Sequence, residues 1–273
     1  MSEVINELQD LTYLKWEKIR HSSGTAGSFL KSQEIVKGTK YYYKLSNYNE
    51  IDGIVGHESV NELIVARLLN YLGIEHLDYD LVHAKVVVDD REHETYFSSS
   101  KDFKKLGDSK NTFETYYELE KLKGETVIEF CRRKGWKKKI DEMMLIDFLV
   151  LNRDRHGANI EVLKSREEKT VRLAPLFDQG LSLLFNCHND KEIMDVDVLE
   201  DKPVQSFFGG NSTFENLKLM EKENLIPVPF FDENLHKKLY EGLETVVSSI
   251  WIDTTWKMLV ERRGVYEDFR NSR

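Results

Sequence analysis

A long apolar run that empties into a loop of charged and turn-forming residues fixes the layout of the middle of this 273-residue chain. Ile140, Met143, Met144, Phe148 and Leu151 recur at helical spacing, which predicts a mostly buried helix over residues 140–151. It is followed at once by Asn152, Arg153, Asp154, Arg155, His156, Gly157, Ala158 and Asn159. Residues 160–163 and 171–174 then read as two short strands joined across the charged turn 164–169. Such a hairpin carries Asp178, in Leu176-Phe177-Asp178-Gln179-Gly180, back toward Asp154 and Asn159.

An Asp, an Asn five positions on and a second Asp on a separate segment form the side-chain set that phosphoryl transfer uses. One carboxylate orients the attacking hydroxyl and accepts its proton, and oxygen ligands hold magnesium against the nucleotide phosphates. Asp154 suits the first role; Asn159 and Asp178 suit the second, because magnesium is a hard cation that takes oxygen ligands. The same residue types also build ordinary polar turns, so the loop has to be weighed with the rest of the chain.

Bulk properties narrow the field. A chain of this length can bury a sizeable core, as one large domain or as two lobes. Its net charge, 39 − 48 = −9, argues against a protein that grips nucleic-acid backbone. The basic run at residues 132–139 reads as a solvated helix end. Cys131 and Cys187 lack metal or disulfide spacing, which suits a reducing compartment, and Cys187-His188 near Asp190 matches no common metal site. No apolar run reaches the roughly 18 residues of a membrane span. The acidic N-terminus has no signal-peptide pattern. The expectation is a cytoplasmic protein with no membrane or nucleic-acid partner.

The first hundred residues read as a nucleotide-binding lobe. Strands are expected at 14–21, 29–36, 39–46, 81–88 and 94–98. Between the first two lies Ser22-Ser23-Gly24-Thr25-Ala26-Gly27-Ser28, a loop whose glycines let backbone amides approach phosphates closely. It is not a Walker loop, since no Gly-Lys-Ser/Thr follows. Lys44 lies in the third strand. Residues 56–73 form an amphipathic helix with Val60, Leu63, Ile64, Leu68 and Tyr71 or Leu72 on its apolar stripe and Gly73 as C-cap. Glu62 is the first choice of partner for Lys44, and Glu58, one turn earlier, the second. Residues 98–103 would be a hinge whose backbone reads adenine.

The order is strand, Gly loop, strand, strand with Lys, helix with Glu, two strands, hinge, helices, Asp-x4-Asn loop, and Asp-x-Gly. It resembles the HipA-like family of bacterial kinases, whose catalytic lobe relates to the protein and phosphoinositide kinases. The residues that carry the resemblance are 23–27, Lys44, Asn61-Glu62, 154–159 and 173–182, and it spans roughly residues 14–260. It implies an α+β, bilobed protein-kinase-like fold. Residues 1–103 would form an N-lobe of antiparallel sheet plus one helix, and residues 104–273 a mostly helical C-lobe. It further implies transfer from ATP, with Mg2+, to Ser or Thr of a protein substrate. Asp154 would be the base and His156 a positioning member of the loop. Ser23, Gly24, Thr25, Gly27, Lys44 and Glu62 would hold the nucleotide, and Asn159 and Asp178 the metal. Autophosphorylation in the Gly loop, at Ser22, Ser23, Thr25 or Ser28, and a cognate antitoxin as partner belong to the same resemblance.

Two departures are visible. Only about twenty residues precede the Gly loop, so the chain is similar to compact relatives without the extra N-terminal subdomain. The run Asp154-Arg155-His156 also echoes phosphoinositide kinases, so a small-molecule or lipid substrate stands as an alternative to a protein. A nucleotide-binding pseudokinase acting through a partner is a third reading; the intact Asp154, Asn159 and Asp178 weigh against it. Toward the C-terminus, residues 226–231 read as a packed turn, and Leu235, Leu239, Leu243, Val246, Val247 and Ile250 as one helical stripe.

Overall fold

In the computed structural model, residues 2–18 and 29–273 are described. The strands are β1 Val4–Asp10, β2 Glu17–Lys18, β3 Leu30–Val36, β4 Thr39–Lys44, β5 Tyr48–Asn49, β6 Gly53–Ile54, β7 Asp80–Val88, β8 Arg91–Lys101, β9 Asp108–Thr112, β10 Asp154–Arg155, β11 Glu161–Ser165, β12 Thr170–Leu173 and β13 Gln205–Ser206. The helices are α1 Glu58–Leu72, α2 Phe113–Glu120, α3 Val127–Arg133, α4 Lys137–Leu149, α5 Asp190–Met194, α6 Thr213–Lys218, α7 Glu233–Tyr240 and α8 Ser249–Ser272. The chain divides into two compact units: Met1–Asp102 with Gln179–Val196 and Phe231–Trp256, and Phe103–Asp178 with Asp197–Phe230 and Lys257–Arg273.

The first unit is built on a six-stranded sheet in the order β1-β7-β8-β4-β3-β2. It is antiparallel except for β1, which runs parallel to β7 with Val4 opposite Leu81. The sequence alone suggests about five antiparallel strands. The sixth escapes it because β1 alternates too weakly and finds its partner far along the chain. The alternating positions Val82, Ala84, Val86 and Val88 of β7 point into one cluster with Leu30, Tyr43, Leu45 and Phe97. That is the period-2 signature of a strand with one buried face. Of the strand expected at 14–21, residues 14–18 are described and only Glu17–Lys18, β2, are strand; the Gly loop, with Ser23, Gly24, Thr25 and Gly27, lies outside the described residues.

Helix α1 departs from a simple amphipathic helix. Val60, Leu63, Ile64 and Leu68 are buried, as the pattern requires, while Tyr71 at the end of the stripe is exposed; Glu58, Ser59, Asn61 and Glu62 are buried too. Its end is set by Gly73 at φ 68°, the left-handed cap that glycine adopts without a Cβ clash, with its N–H donating to the Asn70 and Leu69 carbonyls. Arg67 ties the separate stretches of this unit together. Its guanidinium donates to the carbonyls of Ser2 (3.1 Å), Leu239 (2.9 Å) and Glu241 (2.8 Å). The single stripe expected over residues 235–250 is interrupted: α7 stops at Tyr240, and Gly242, at φ 80°, turns the chain before α8 begins.

In the second unit β9, β11 and β12 form an antiparallel sheet in the order β12-β11-β9. The hairpin of β11 and β12 is the one the sequence predicts, with Val162 opposite Leu173. Helix α4 buries Ile140, Met143, Met144 and Phe148, again as predicted, and encloses two acidic side chains, Asp141 and Asp147. Asp141 is paired with Lys137 one turn earlier.

His57, just before α1, supplies a pH handle on the first unit. Its ring lies 5.3 Å from that of Trp251. Burial pulls its pKa from 6.5 down to about 4. In the unfolded chain this His takes a proton near 6.5, so between about 4 and 6.5 the unfolded state binds more protons and acidification costs stability. We predict that wild type loses up to roughly 3 kcal/mol more stability between neutral pH and the lower end of that window than His57→Phe does. Denaturant melts at a series of pH values check this; parallel curves for the two proteins would contradict it.

Candidate active site

The loop after α4 begins with Leu151 at φ 51°, a left-handed conformation uncommon for a non-glycine residue. Asn152 then folds back on the helix: its N–H donates to the Asp147 carbonyl (2.9 Å) and its amide to Asp147 Oδ1 (2.9 Å). Its own Oδ1 accepts from the Asp154 N–H (3.3 Å). Residues 154 and 155 form β10, which pairs in parallel with β13, and the Gln205 and Phe207 N–H groups donate to the carbonyls of Arg153 and Arg155, each at 2.9 Å. The backbone of the loop is thus held on two sides.

Asp154 and Asn159 are brought together. The Asn159 amide nitrogen donates to the Asp154 carbonyl (2.8 Å) and to Asp154 Oδ2 (3.2 Å). Both acceptors demand the NH2 group, so the amide orientation is fixed and Oδ1 is left to serve as an acceptor elsewhere. Asp154 Oδ1 is buried without a hydrogen-bond partner among the described residues, and lies 3.5 Å from His156 Nε2. His156 Nδ1 accepts from the Ala158 N–H (3.1 Å), so that nitrogen carries no proton and the ring hydrogen sits on Nε2, facing Asp154. Burial, with the nearby charge of Asp178 adding to it, raises the Asp154 carboxyl above 3.8; His156, Asn159 and Arg155 oppose that shift. Asp178 itself is held at φ 60°.

In the first unit, Lys44 Nζ lies 3.2 Å from Glu62 Oε1, with the carboxylate almost fully buried. Lys44 sits on β4 and Glu62 on α1, the arrangement expected of the first-choice pair. The second choice, Glu58, is buried too, and its Oε2 accepts from the Asn47 N–H (3.1 Å). The other oxygen of Glu62 accepts from the backbone N–H of Gln179 (2.9 Å). Asn61 donates to the carbonyls of Gly180 (2.9 Å) and Ser182 (2.8 Å). One turn of α1 therefore grips the stretch that begins directly after Asp178. A Cβ on Gly180 would stand 3.2 Å from Glu58 Cβ and 3.4 Å from Lys44 Nζ.

The sequence pattern did not assign these backbone contacts of Asn61, nor the burial of Gln179, whose side-chain amide has no hydrogen-bond partner among the described residues. The only signal for Asn61 was its place beside Glu62. Among the described residues, no group of three or more His, Cys, Asp and Glu side chains is placed to hold a metal ion. No helix of the described residues is long and apolar enough to cross a membrane.

No protein-family profile matches the chain, and no curated protein matches it. Among solved structures, a Helicobacter pylori proinflammatory kinase, CtkA, superimposes with a TM-score of 0.59 at 16% identity, over 96% of this chain and 97% of that one. HipA from the Shewanella oneidensis MR-1 toxin–antitoxin complex with HipB and operator DNA matches with a TM-score of 0.49 at 14% identity, over 93% of this chain and 67% of that one. The protein has a kinase-like α+β fold.

Gly157 has no room for a side chain: a Cβ there would lie 2.6 Å from Glu114 Cβ and 2.9 Å from the Phe207 ring. We predict that Gly157→Ala displaces the loop and costs about 1–3 kcal/mol of stability by overpacking. Thermal melts check this, and an unchanged melting temperature would show that the loop yields freely.

Proposed function

We propose that this chain is a kinase that transfers the γ-phosphoryl group of ATP to a Ser or Thr hydroxyl of a protein substrate. The observation that carries the reading is the Asp154–Asn159 pair: a buried carboxylate with one oxygen unengaged by hydrogen bonds, tied to an amide whose oxygen is turned free for another ligand.

A carboxylate raised above the ordinary aspartate range is a better proton acceptor than one in water. Asp154 Oδ1 would orient the substrate hydroxyl and take its proton. His156, with its proton on Nε2, would keep that oxygen from rotating away. Asn159 Oδ1 and the Asp178 carboxylate offer hard oxygen donors, which fit magnesium. Burial is the main cause of the raised Asp154 carboxyl, and the nearby Asp178 charge adds a repulsion that a bound cation would relieve. Bound there, magnesium would neutralise charge on the phosphate oxygens.

Lys44 would contact the nucleotide phosphates, with Glu62 holding its ammonium in place. Lys44 is also within cation–π distance of Phe29, 4.7 Å from the ring centroid. The Gly-loop residues Ser23, Gly24, Thr25 and Gly27 remain candidates to cover the phosphates, and Ser22, Ser23, Thr25 and Ser28 candidate acceptors of autophosphorylation. A protein acceptor is favoured over a lipid because no basic amphipathic or lipid-anchoring segment is found in the sequence.

Incubation with γ-labelled ATP and magnesium, followed by phosphosite mapping, tests the reading. Label on Ser or Thr in wild type should fall by orders of magnitude in Asp154→Ala and Asp178→Ala, both still folded. Lys44→Met should lose transfer mainly through weaker nucleotide binding. Near-wild-type turnover in either Asp variant removes the assignment. Tight magnesium-dependent ATP binding without label moves the weight to a pseudokinase or to a kinase for a separate acceptor. In metal-free protein, a carbon-13 NMR titration should place the Asp154 midpoint above 3.8; a lower midpoint would contradict the electrostatics.

A further inference from the structure

Arg155 stands between the two residues given catalytic-loop roles, yet its side chain turns away from them into the interior. It is 2% exposed. Its Nε and NH2 groups face Asp147 of α4, with Nε 3.0 Å from Oδ2 and NH2 2.9 Å from Oδ1. Its remaining nitrogen, NH1, donates to two backbone carbonyls, those of Asn159 (3.2 Å) and Phe177 (3.1 Å). The first belongs to one candidate metal ligand, and the second to the residue directly before the other, Asp178. One guanidinium therefore fastens the backbone under both ligands to a single carboxylate on the helix.

We propose that Arg155 is the positioning residue of the metal site, setting the separation of Asn159 and Asp178 through its NH1 group. The inference rests on the kinase reading and deepens it. Three features distinguish it from plain core support. The guanidinium is planar and presents its donors in a fixed fork, so the two carbonyls it joins are held at a set spacing. Lysine offers one nitrogen and cannot reach a carboxylate and two carbonyls with that geometry. Its positive charge also lies among Asp147, Asp154 and Asp178, so it steadies the carboxylates before any cation arrives. Groups that orient metal ligands from behind commonly cost tenfold to a hundredfold in metal affinity when removed.

The test uses the full chain and ATP, with magnesium as the titrated variable. Arg155→Lys should raise the magnesium half-saturation of ATP binding by about tenfold or more, with metal-free ATP affinity close to wild type. Asp147→Asn keeps the volume but weakens the anchor of the guanidinium, and should give a smaller shift in the same direction. A role confined to support of the fold would lower the melting temperature without moving the magnesium dependence. An unchanged half-saturation in the folded variants overturns the proposal. Loss of the fold in both variants overturns it as well, since Arg155 would then be structural alone. If wild type shows no magnesium-dependent ATP binding, the kinase reading falls and takes this inference with it. The two failures are therefore told apart.

Discussion

The ion pair of Arg155 with Asp147 is the point from which the polar loop of the second unit is organised. A charge removed from water has to be answered at short range, because breaking a buried pair leaves one partner uncompensated at a cost of about 3–5 kcal/mol. Asp147 is fixed by its place on a helix whose neighbours are almost all apolar and buried. The guanidinium has to come to it, and the loop has to follow the guanidinium. Asn152 completes the arrangement by spending its amide on the same carboxylate. The loop is then rigid enough for Asp154 to remain buried with one oxygen lacking a hydrogen bond, a condition that a mobile loop would relieve by rotating the carboxylate into water.

The first unit solves a similar problem with a different group. Glu62 is 1% exposed and divides its two oxygens between the Lys44 ammonium and the Gln179 N–H. A carboxylate used in this way links a strand, a helix and a returning segment through one side chain. Asn61 repeats the pattern with its amide. The buried polar side of α1 is therefore not a defect in an amphipathic helix. It is how the helix secures residues 179–182, where a Cβ on Gly180 would stand 3.2 Å from Glu58 Cβ.

Much of this was readable from local pattern. The helix before the loop, the hairpin of β11 and β12 and the cap at Gly73 follow from spacing, because each depends on neighbours a few residues apart; the pairing of Lys44 with Glu62 was implied by the resemblance to kinases. The fold class was implied by the same resemblance, which the order of those parts carries. What stayed hidden depends on distant partners. Strand β9, Asp-Ser-Lys-Asn-Thr, has no apolar alternation and is a strand because β11 supplies its hydrogen bonds. The parallel partner of β1 lies more than seventy residues away. Arg155 and Gln179 are polar residues that a composition rule sends to the surface, and only the folded chain shows them inside.

The first unit takes its residues from three stretches of chain, the last of them ending at Trp256. A ribosome makes the chain in one direction, so the sheet emerges long before the segments that Asn61 and Arg67 are built to hold. Until those segments have been made, Asn61 lacks both of its carbonyls and Arg67 has only that of Ser2, and the polar side chains of α1 lack the chain that buries them. Domains that are continuous in sequence can fold as they appear. This one has to wait until the chain has been made as far as Trp256, which makes the growing chain, rather than the finished protein, the state in which an unprotected sheet edge is most exposed to misassembly.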